Sequence, residues 1–247
     1  MMLWLRSIVF NVAFYVTLIL ICFIALPTFL MSYRAVIAMA RLWARISLLL
    51  LNVICGIKVE FRHLDRIPKG ALLVASKHQS LWETFALLIV LDDPVYILKR
   101  ELMWIPMFGW FAAKARMVPV DRGKGARALA AMARRAKEEL AHGRQIIIFP
   151  EGTRRAAGAE PRYKYGVAHL YESFGVPCLP MALNSGLFWP RRSLLRYPGT
   201  VVVEALPVIP PGLDRDVFFA RLQQETETAT AALVEEGLKE RGANASA

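Results

Sequence analysis

Cysteine is scarce in this chain. Cys22, Cys55 and Cys178 stand far apart among 247 residues, with neither the close spacing of a metal site nor a framework for disulfides. A reducing compartment is therefore the default. Acidic residues are also in short supply, 20 against 31 lysines and arginines, which leaves a net charge of +11. Such a surplus suits an anionic partner, nucleic acid or anionic lipid. No nucleic-acid fingerprint accompanies it, so lipid headgroups are expected and nucleic acid is not. There is no internal repeat and no low-complexity segment. The longest absence is of charge itself: nothing from Ser7 to Tyr33 is ionisable as an acid or base of the Asp, Glu, Lys or Arg kind. As a helix that run would reach about 40 Å, more than a hydrocarbon core of roughly 30 Å.

A secretory signal would explain such a run, but only Arg6 supplies a basic start, the run is too long, and no small-x-small cleavage site follows. The segment is expected to stay in the membrane. A second apolar stretch, Ala35 to Ile57, contains Arg41 and Arg45, which are costly in hydrocarbon unless they snorkel or face a polar cavity. Pro27 and the step Ser32-Tyr33-Arg34 can bend the chain between the two stretches. One spanning helix followed by an interfacial one, or a hairpin dipping into one leaflet, both fit. Positive charge is heavier after the first run (Arg34, Arg41, Arg45, Lys58, Arg62) than before it, which puts the rest of the protein on the cytoplasmic face of the cell (inner) membrane.

What is abundant is apolar sequence, 56% of the chain, and beyond Gly56 it is organised by alternation. Strand-like runs at Ile57–Arg62, Ala71–Ala75, Val95–Leu98, Met117–Val120, Gln145–Phe149, Cys178–Leu183 and Thr200–Ala205 are interleaved with helical patterns. The helices are expected at Leu81–Leu91, Gly125–His142, Tyr163–Phe174 and Arg215–Arg241, the last frayed by Gly237 and its tail. The fold class is α/β with a mostly buried sheet. Residues 1–56 form the N-terminal membrane helices, and 57–247 a single α/β domain.

Four clusters carry possible chemistry. The first, His78-Gln79-Ser80-Leu81-Trp82-Glu83, follows one strand and opens a helix. A carboxylate near an imidazole can fix its tautomer and support it as a general base. The same residues also form a capping box, Ser80-x-x-Glu83, in which Glu83 only starts a helix. The second cluster is Lys99-Arg100-Glu101-Leu102 with Phe108-Gly109-Trp110 and later Val120-Asp121-Arg122. Its cations suit phosphate or a solvated edge, and its aromatics are expected in the core. The third, Phe149-Pro150-Glu151-Gly152-Thr153-Arg154, stands at a strand end, where ligands bind in open α/β sheets. Gly152 permits a sharp turn, and Arg154 offers a planar fork for phosphate. The fourth, Val176 to Ala182, is a proline-edged strand that can shape a pocket. His63, His142 and His169 lack a carboxylate at comparable spacing, apart from Asp65 near His63, and read as surface or packing residues.

In this order the four clusters resemble the 1-acylglycerol-3-phosphate acyltransferase family, over roughly Ala71 to Ala182. The family's His-x-x-x-x-Asp block reads His78 to Glu83 here, with glutamate for the commoner aspartate, and the Phe-Pro-Glu-Gly-Thr-Arg block stands complete at Phe149–Arg154. The resemblance implies that His78 is the general base and Glu83 its orienting partner. It implies that Arg154, with the backbone of Glu151, Gly152 and Thr153, holds the acceptor's phosphate, and that Lys99 and Arg100 add contacts to it. The implied reaction moves an acyl chain from acyl-CoA or acyl carrier protein to the sn-2 hydroxyl of lysophosphatidic acid, giving phosphatidic acid. No metal or redox cofactor is implied, because the donor arrives activated. Alternatives stand beside it: another acceptor, such as a lysophospholipid, an acylated amino acid or glycerol 3-phosphate; a non-catalytic lipid-binding protein; or a thioesterase using water.

Overall fold

The computed structural model describes residues 1–121 and 125–246. Within them the alternation of apolar runs becomes one seven-stranded sheet in the order β1-β7-β6-β2-β5-β3-β4. The strands are β1 (Ile57–Arg62), β2 (Leu72–Ser76), β3 (Pro94–Lys99), β4 (Val118–Val120), β5 (Gln145–Ile148), β6 (Cys178–Leu183) and β7 (Gly199–Ala205). Neighbours run parallel except β6 and β7. Every residue of β2 and β6 is buried, as continuous apolar runs in a sheet covered on both faces require.

The helices are α1 (Met2–Ile24), α2 (Tyr33–Cys55), α3 (Glu83–Val90), α4 (Phe108–Lys114), α5 (Gly125–Ala141), α6 (Gly166–Phe174), α7 (Ser185–Phe188) and α8 (Arg215–Ser246). Alternate residues of β2 sort them onto two faces. Leu72 and Val74 share a core with Phe85, Ala86 and Leu87 of α3, and with Phe10, Phe14, Ala44 and Leu51 of α1 and α2. Leu73 and Ala75 share the other with Met132 of α5, Val167 of α6 and Phe218 of α8. The chain leaving β2 passes over β5 to reach β3, whereas the chain leaving β5 passes over β2 to reach β6. The carboxyl ends of β2 and β5 are therefore a topological switch point, where open α/β sheets leave a crevice.

The two apolar stretches form a helical hairpin. α1 ends at Ile24, a tight turn over Leu26–Leu30 holds Pro27, and α2 ends at Gly56 in the left-handed conformation (φ 69°) that lets its N–H cap the helix. Both helices are long and apolar enough to cross a membrane, yet they lie against the sheet domain along their length. Phe14 packs on Trp43, Phe85 and Trp189 with centroids 5.0–5.7 Å apart. At the tip, Phe29 meets Phe111 at 4.8 Å and its carbonyl accepts Lys114 Nζ at 3.0 Å. Arg41, the awkward charge in an apolar stretch, donates to the carbonyls of Leu88, Leu91 and Asp92 at the end of α3. The outward face of α1 stays apolar and exposed, from Leu5 through Val12 and Val16 to Ile24.

Three sequence expectations need correction. Phe108 and Trp110 are not core residues but are 42% and 57% exposed, because α4 buries its small residues Gly109 and Ala112 instead. A Cβ at Gly109 would meet the Met103 carbonyl at 2.0 Å, so the small face is obligatory. Gly237 does not fray α8. It lets that helix approach Leu187, which a Cβ would meet at 2.7 Å. α4 and α7 were read as helices in no part of the sequence, since each is too short to show a period. Arg122 of the second cluster lies outside the described residues.

Candidate active site

β2 delivers Lys77 to the carboxyl edge of the sheet, where its N–H still donates to Met181 of β6 at 2.9 Å. One residue later the chain is free to turn, and there His78 stands. Glu83, the first residue of α3, is wholly buried and uses both carboxylate oxygens. Oε1 accepts the N–H groups of Gln79 and Ser80 at 2.7 Å each and lies 2.8 Å from His78 Nδ1. Oε2 accepts the hydroxyl of Ser185 at 2.8 Å. Ser80 Oγ in turn accepts the N–H of Trp82 at 3.2 Å. The capping box and the histidine partner are thus one carboxylate doing both jobs. With Glu83 as acceptor the imidazole proton sits on Nδ1, and Nε2 presents its lone pair. The ring is flat against Phe149, 4.0 Å between centroids and 16° between planes, and its side chain keeps 12% exposure. The imidazole is thus held in one orientation with a single open side.

The turn after β5 closes around this histidine. Gly152 has φ +66°, and its N–H donates to Phe149 O at 2.9 Å. A Cβ there would meet only ordinary contacts, so the backbone angle, not space, calls for glycine. Glu151 turns inward: Oε2 accepts the N–H of His78 at 3.1 Å, and Oε1 accepts Lys77 Nζ at 2.9 Å. The N–H of Arg155 donates to the carbonyl of His78 at 2.8 Å. Lys77 also donates to Glu227 of α8 at 2.6 Å. Burial pushes the Glu151 carboxyl above its usual range, opposed by Lys77 and the His78 N–H. The Glu151 side chain is therefore occupied in holding the turn, while Thr153 is exposed and Arg154 half-exposed at the loop's rim.

The second cluster lies farther along the same edge. Lys99, at the end of β3, pairs with Glu101 at 3.0 Å, and Arg100 pairs with Asp121 at 3.3 Å, all four partly or largely exposed. Among the described residues neither cation bonds to the His78 turn or to Arg154. Sequence reading missed the support from α7. Ser185 reaches Glu83 across 102 positions, and the N–H of Gly186 donates to Gln79 Oε1 at 2.9 Å. Asn184-Ser185-Gly186 reads as an ordinary turn, and nothing local signals its partner. His63, His142 and His169 sit away from this cluster, bonded or paired to Glu204, to Glu138 O and to Arg215.

A buried carboxylate aiming an imidazole beside a glycine-arginine turn, at the switch point of an α/β sheet, is an arrangement that can exchange a proton with a bound hydroxyl. The acyltransferase family model matches residues 58–184, which contain His78, Glu83 and the Glu151–Arg154 turn, and the chain belongs to that family and is an enzyme. It is 37% identical to a 1-acyl-sn-glycerol-3-phosphate acyltransferase of Pseudomonas aeruginosa over 75% of this chain and 72% of that one. It is 31% identical to the human 1-acyl-sn-glycerol-3-phosphate acyltransferase alpha over 81% and 72% of the two chains. Among solved structures, the 1-acyl-sn-glycerophosphate (LPA) acyltransferase PlsC of Thermotoga maritima superposes with a TM-score of 0.75 at 23% identity. The match covers 93% of this chain and 97% of that one, so the fold is shared over nearly the whole length.

Proposed function

We propose that the enzyme transfers an acyl chain from a thioester donor, acyl-CoA or acyl carrier protein, to the sn-2 hydroxyl of 1-acylglycerol 3-phosphate, releasing phosphatidic acid. The observation that carries this reading is the His78–Glu83 contact of 2.8 Å, with the His78 main chain clamped to the Arg154 loop. His78 Nε2 takes the hydroxyl proton as the oxygen attacks the thioester carbonyl carbon. The tetrahedral intermediate collapses, the carbon–sulfur bond breaks, and the departing thiolate takes the proton from the imidazolium. Ester and thiol are the products, and His78 is regenerated without a further cofactor. Glu83 steadies the imidazolium in between.

Arg154, with the backbone of Glu151, Gly152 and Thr153, holds the acceptor's phosphate, and Lys99 and Arg100 add charge along the same edge. Fixing that phosphate aligns the hydroxyl against Nε2, and such positioning contributes several kcal/mol, on the order of 7–11 at best. The exposed apolar face of the hairpin seats the enzyme in one leaflet on the cytoplasmic side, so that acceptor and product stay in the bilayer. The names of the relatives support the acceptor. The test is purified enzyme in mild detergent with labelled acyl-CoA, or acyl carrier protein as donor, and lysophosphatidic acid. Phosphatidic acid from wild type and none from folded His78→Ala is the expected result. Equal product from both would overturn the mechanism, and equal turnover of an acceptor lacking the phosphate would overturn the acceptor.

A further inference from the structure

Beyond α7 the chain runs through Pro190 to Arg196 and lies on the first half of α1. Asn11 Nδ2 donates to Leu194 O at 2.8 Å, and the N–H of Arg196 donates to Ser7 Oγ at 2.9 Å. Ser7 and Asn11, two of the few polar residues in this helix, are thus both bonded to this loop. Between loop, helix and Leu81 lies a cavity of about 160 Å³ lined by Arg154, Arg191, Arg192 and Arg196 with Asn11 and Tyr15. That is many times the roughly 10–15 Å³ one water needs, so a phosphate group fits.

Arg196 is only 4% exposed, and its guanidinium lies 4.1 Å from the Trp189 ring. Its side-chain hydrogen bonds go to neutral acceptors, Ser193 O at 2.9 Å, Leu195 O at 2.8 Å and Asn11 Oδ1 at 2.7 Å. Its buried Nε has no hydrogen-bond partner among the described residues. Among the described residues no carboxylate pairs with Arg154, Arg191, Arg192 or Arg196. Burial lowers the pKa of Arg196 to about 10. Of the four only Arg196 is buried, while Arg154 and Arg191 are partly exposed and Arg192 is exposed at the rim. A buried cation with no charged partner is a cost to the fold that its neutral acceptors and the Trp189 ring offset in part and a bound anion would offset further. Arg192 adds strain, with φ 55° in a region that favours glycine.

The cavity's position names the anion's source. It opens beside the outward face of α1, where Val12 and Val16 are exposed, and Leu194 of the loop itself is 62% exposed. Guanidinium groups just behind an apolar surface sit at headgroup depth once that surface is in lipid. We infer that this cavity binds the phosphate of a membrane lipid through Arg191, Arg192 and Arg196, and so fixes the depth and tilt of the hairpin in the leaflet. The lipid phosphate is either the monoester of a phosphatidate or the diester of a bulk anionic phospholipid. The site rests on the membrane seating of α1 proposed above and borders Arg154 of the proposed acceptor site, so binding is read below in a chain without turnover and through variants that leave Arg154 in place.

The full-length His78→Ala chain in an uncharged detergent is titrated with dihexanoyl phosphatidic acid, dihexanoyl phosphatidylglycerol, dihexanoylglycerol and inorganic phosphate, and the thermal midpoint is followed. The phosphate-bearing lipids are expected to raise the midpoint and dihexanoylglycerol to leave it. The concentration needed should rise about tenfold or more when Arg192→Gly or Arg196→Gln removes a charged donor. Arg192→Gly also relieves the left-handed backbone, so it keeps the fold while it loses the site. A response to phosphatidic acid alone assigns the monoester, and a response to both lipids assigns the bulk diester. Titrations of both variants that overlay the parent would overturn the site. Inorganic phosphate acting as strongly as the lipids would overturn the lipid assignment.

Discussion

Glu151 Oε2 accepts the backbone N–H of His78 at 3.1 Å, so the acid of one motif fixes the main chain that carries the imidazole of the other. Arg155 completes the clamp from the opposite side, its N–H on the His78 carbonyl at 2.8 Å. The side-chain partner, Glu83, orients the ring while it caps the turn through the N–H groups of Gln79 and Ser80. Motifs whose two residues stand 73 positions apart in sequence are thereby tied together.

Replacing Glu83 by glutamine separates its two roles. The amide oxygen can keep the Gln79 and Ser80 N–H groups, and the amide nitrogen can donate to the Ser185 hydroxyl, which rotates to accept. The fold should hold while the charge beside the imidazole is lost. We expect turnover to fall about 100-fold or more with a thermal midpoint close to wild type. Near-normal turnover would leave Glu83 a helix cap alone.

Ser185→Ala removes one donor from a fully buried carboxylate oxygen. The expected cost is about 1–3 kcal/mol of stability, with kcat lowered and KM little changed, because the acceptor's phosphate is held elsewhere. Unaltered kcat in this variant would show that the Oε2 contact is only structural.

Lys77→Met leaves two carboxylates, Glu151 and Glu227, without the ammonium they share at 2.9 and 2.6 Å. Removing one side of a buried pair costs about 3–5 kcal/mol. Adding Glu151→Gln to it should recover part of that loss, and a double-mutant cycle from chemical denaturation measures the coupling. A double variant as unstable as the sum of the singles would mean that the two groups do not interact.

The same cluster sets a pH dependence. Burial first, and the like charge of Glu227 in support, raise the Glu151 carboxyl above its usual range against the pull of Lys77. An acid whose pKa is higher folded than unfolded keeps a proton that the unfolded chain has lost. Its part of the stability therefore falls as pH rises from the ordinary value of about 4.3 to the raised one. Thermal midpoints across that window should slope downward in wild type more than in Glu151→Gln, and equal slopes would remove Glu151 as the cause.

Trp104 and Trp110 are 70% and 57% exposed beside the hairpin tip. If α4 and its preceding turn enter lipid with the hairpin, Trp104→Asp and Trp110→Asp should each weaken binding to anionic vesicles about tenfold. The thermal midpoint in detergent should not move. Unchanged flotation with vesicles would put this side of the molecule in water.

The strands were legible because parallel strands buried on both faces are continuous apolar runs, and each lies within a residue of its expected bounds. The His78–Glu83 spacing and the Gly152 turn were legible because their geometry is local. Ser185, Arg41 and Arg196 were not, since each acts on a partner 102, 50 or 185 positions away, at distances where a sequence pattern carries no signal. Phe108 and Trp110 misled for a different reason: composition registers that a segment is apolar but not whether its solvent is protein or lipid.

Phe14, Trp43 and Phe85 interlock at 5.0–5.7 Å, and Phe85 belongs to the helix that Glu83 opens. Hairpin and candidate site are consequently a single folding unit. Removing residues 1–56 would not liberate an intact soluble domain; it would strip the wall from behind the helix that Glu83 opens. Detaching this protein from its membrane calls for repainting the outer face of α1 with polar side chains, never for trimming.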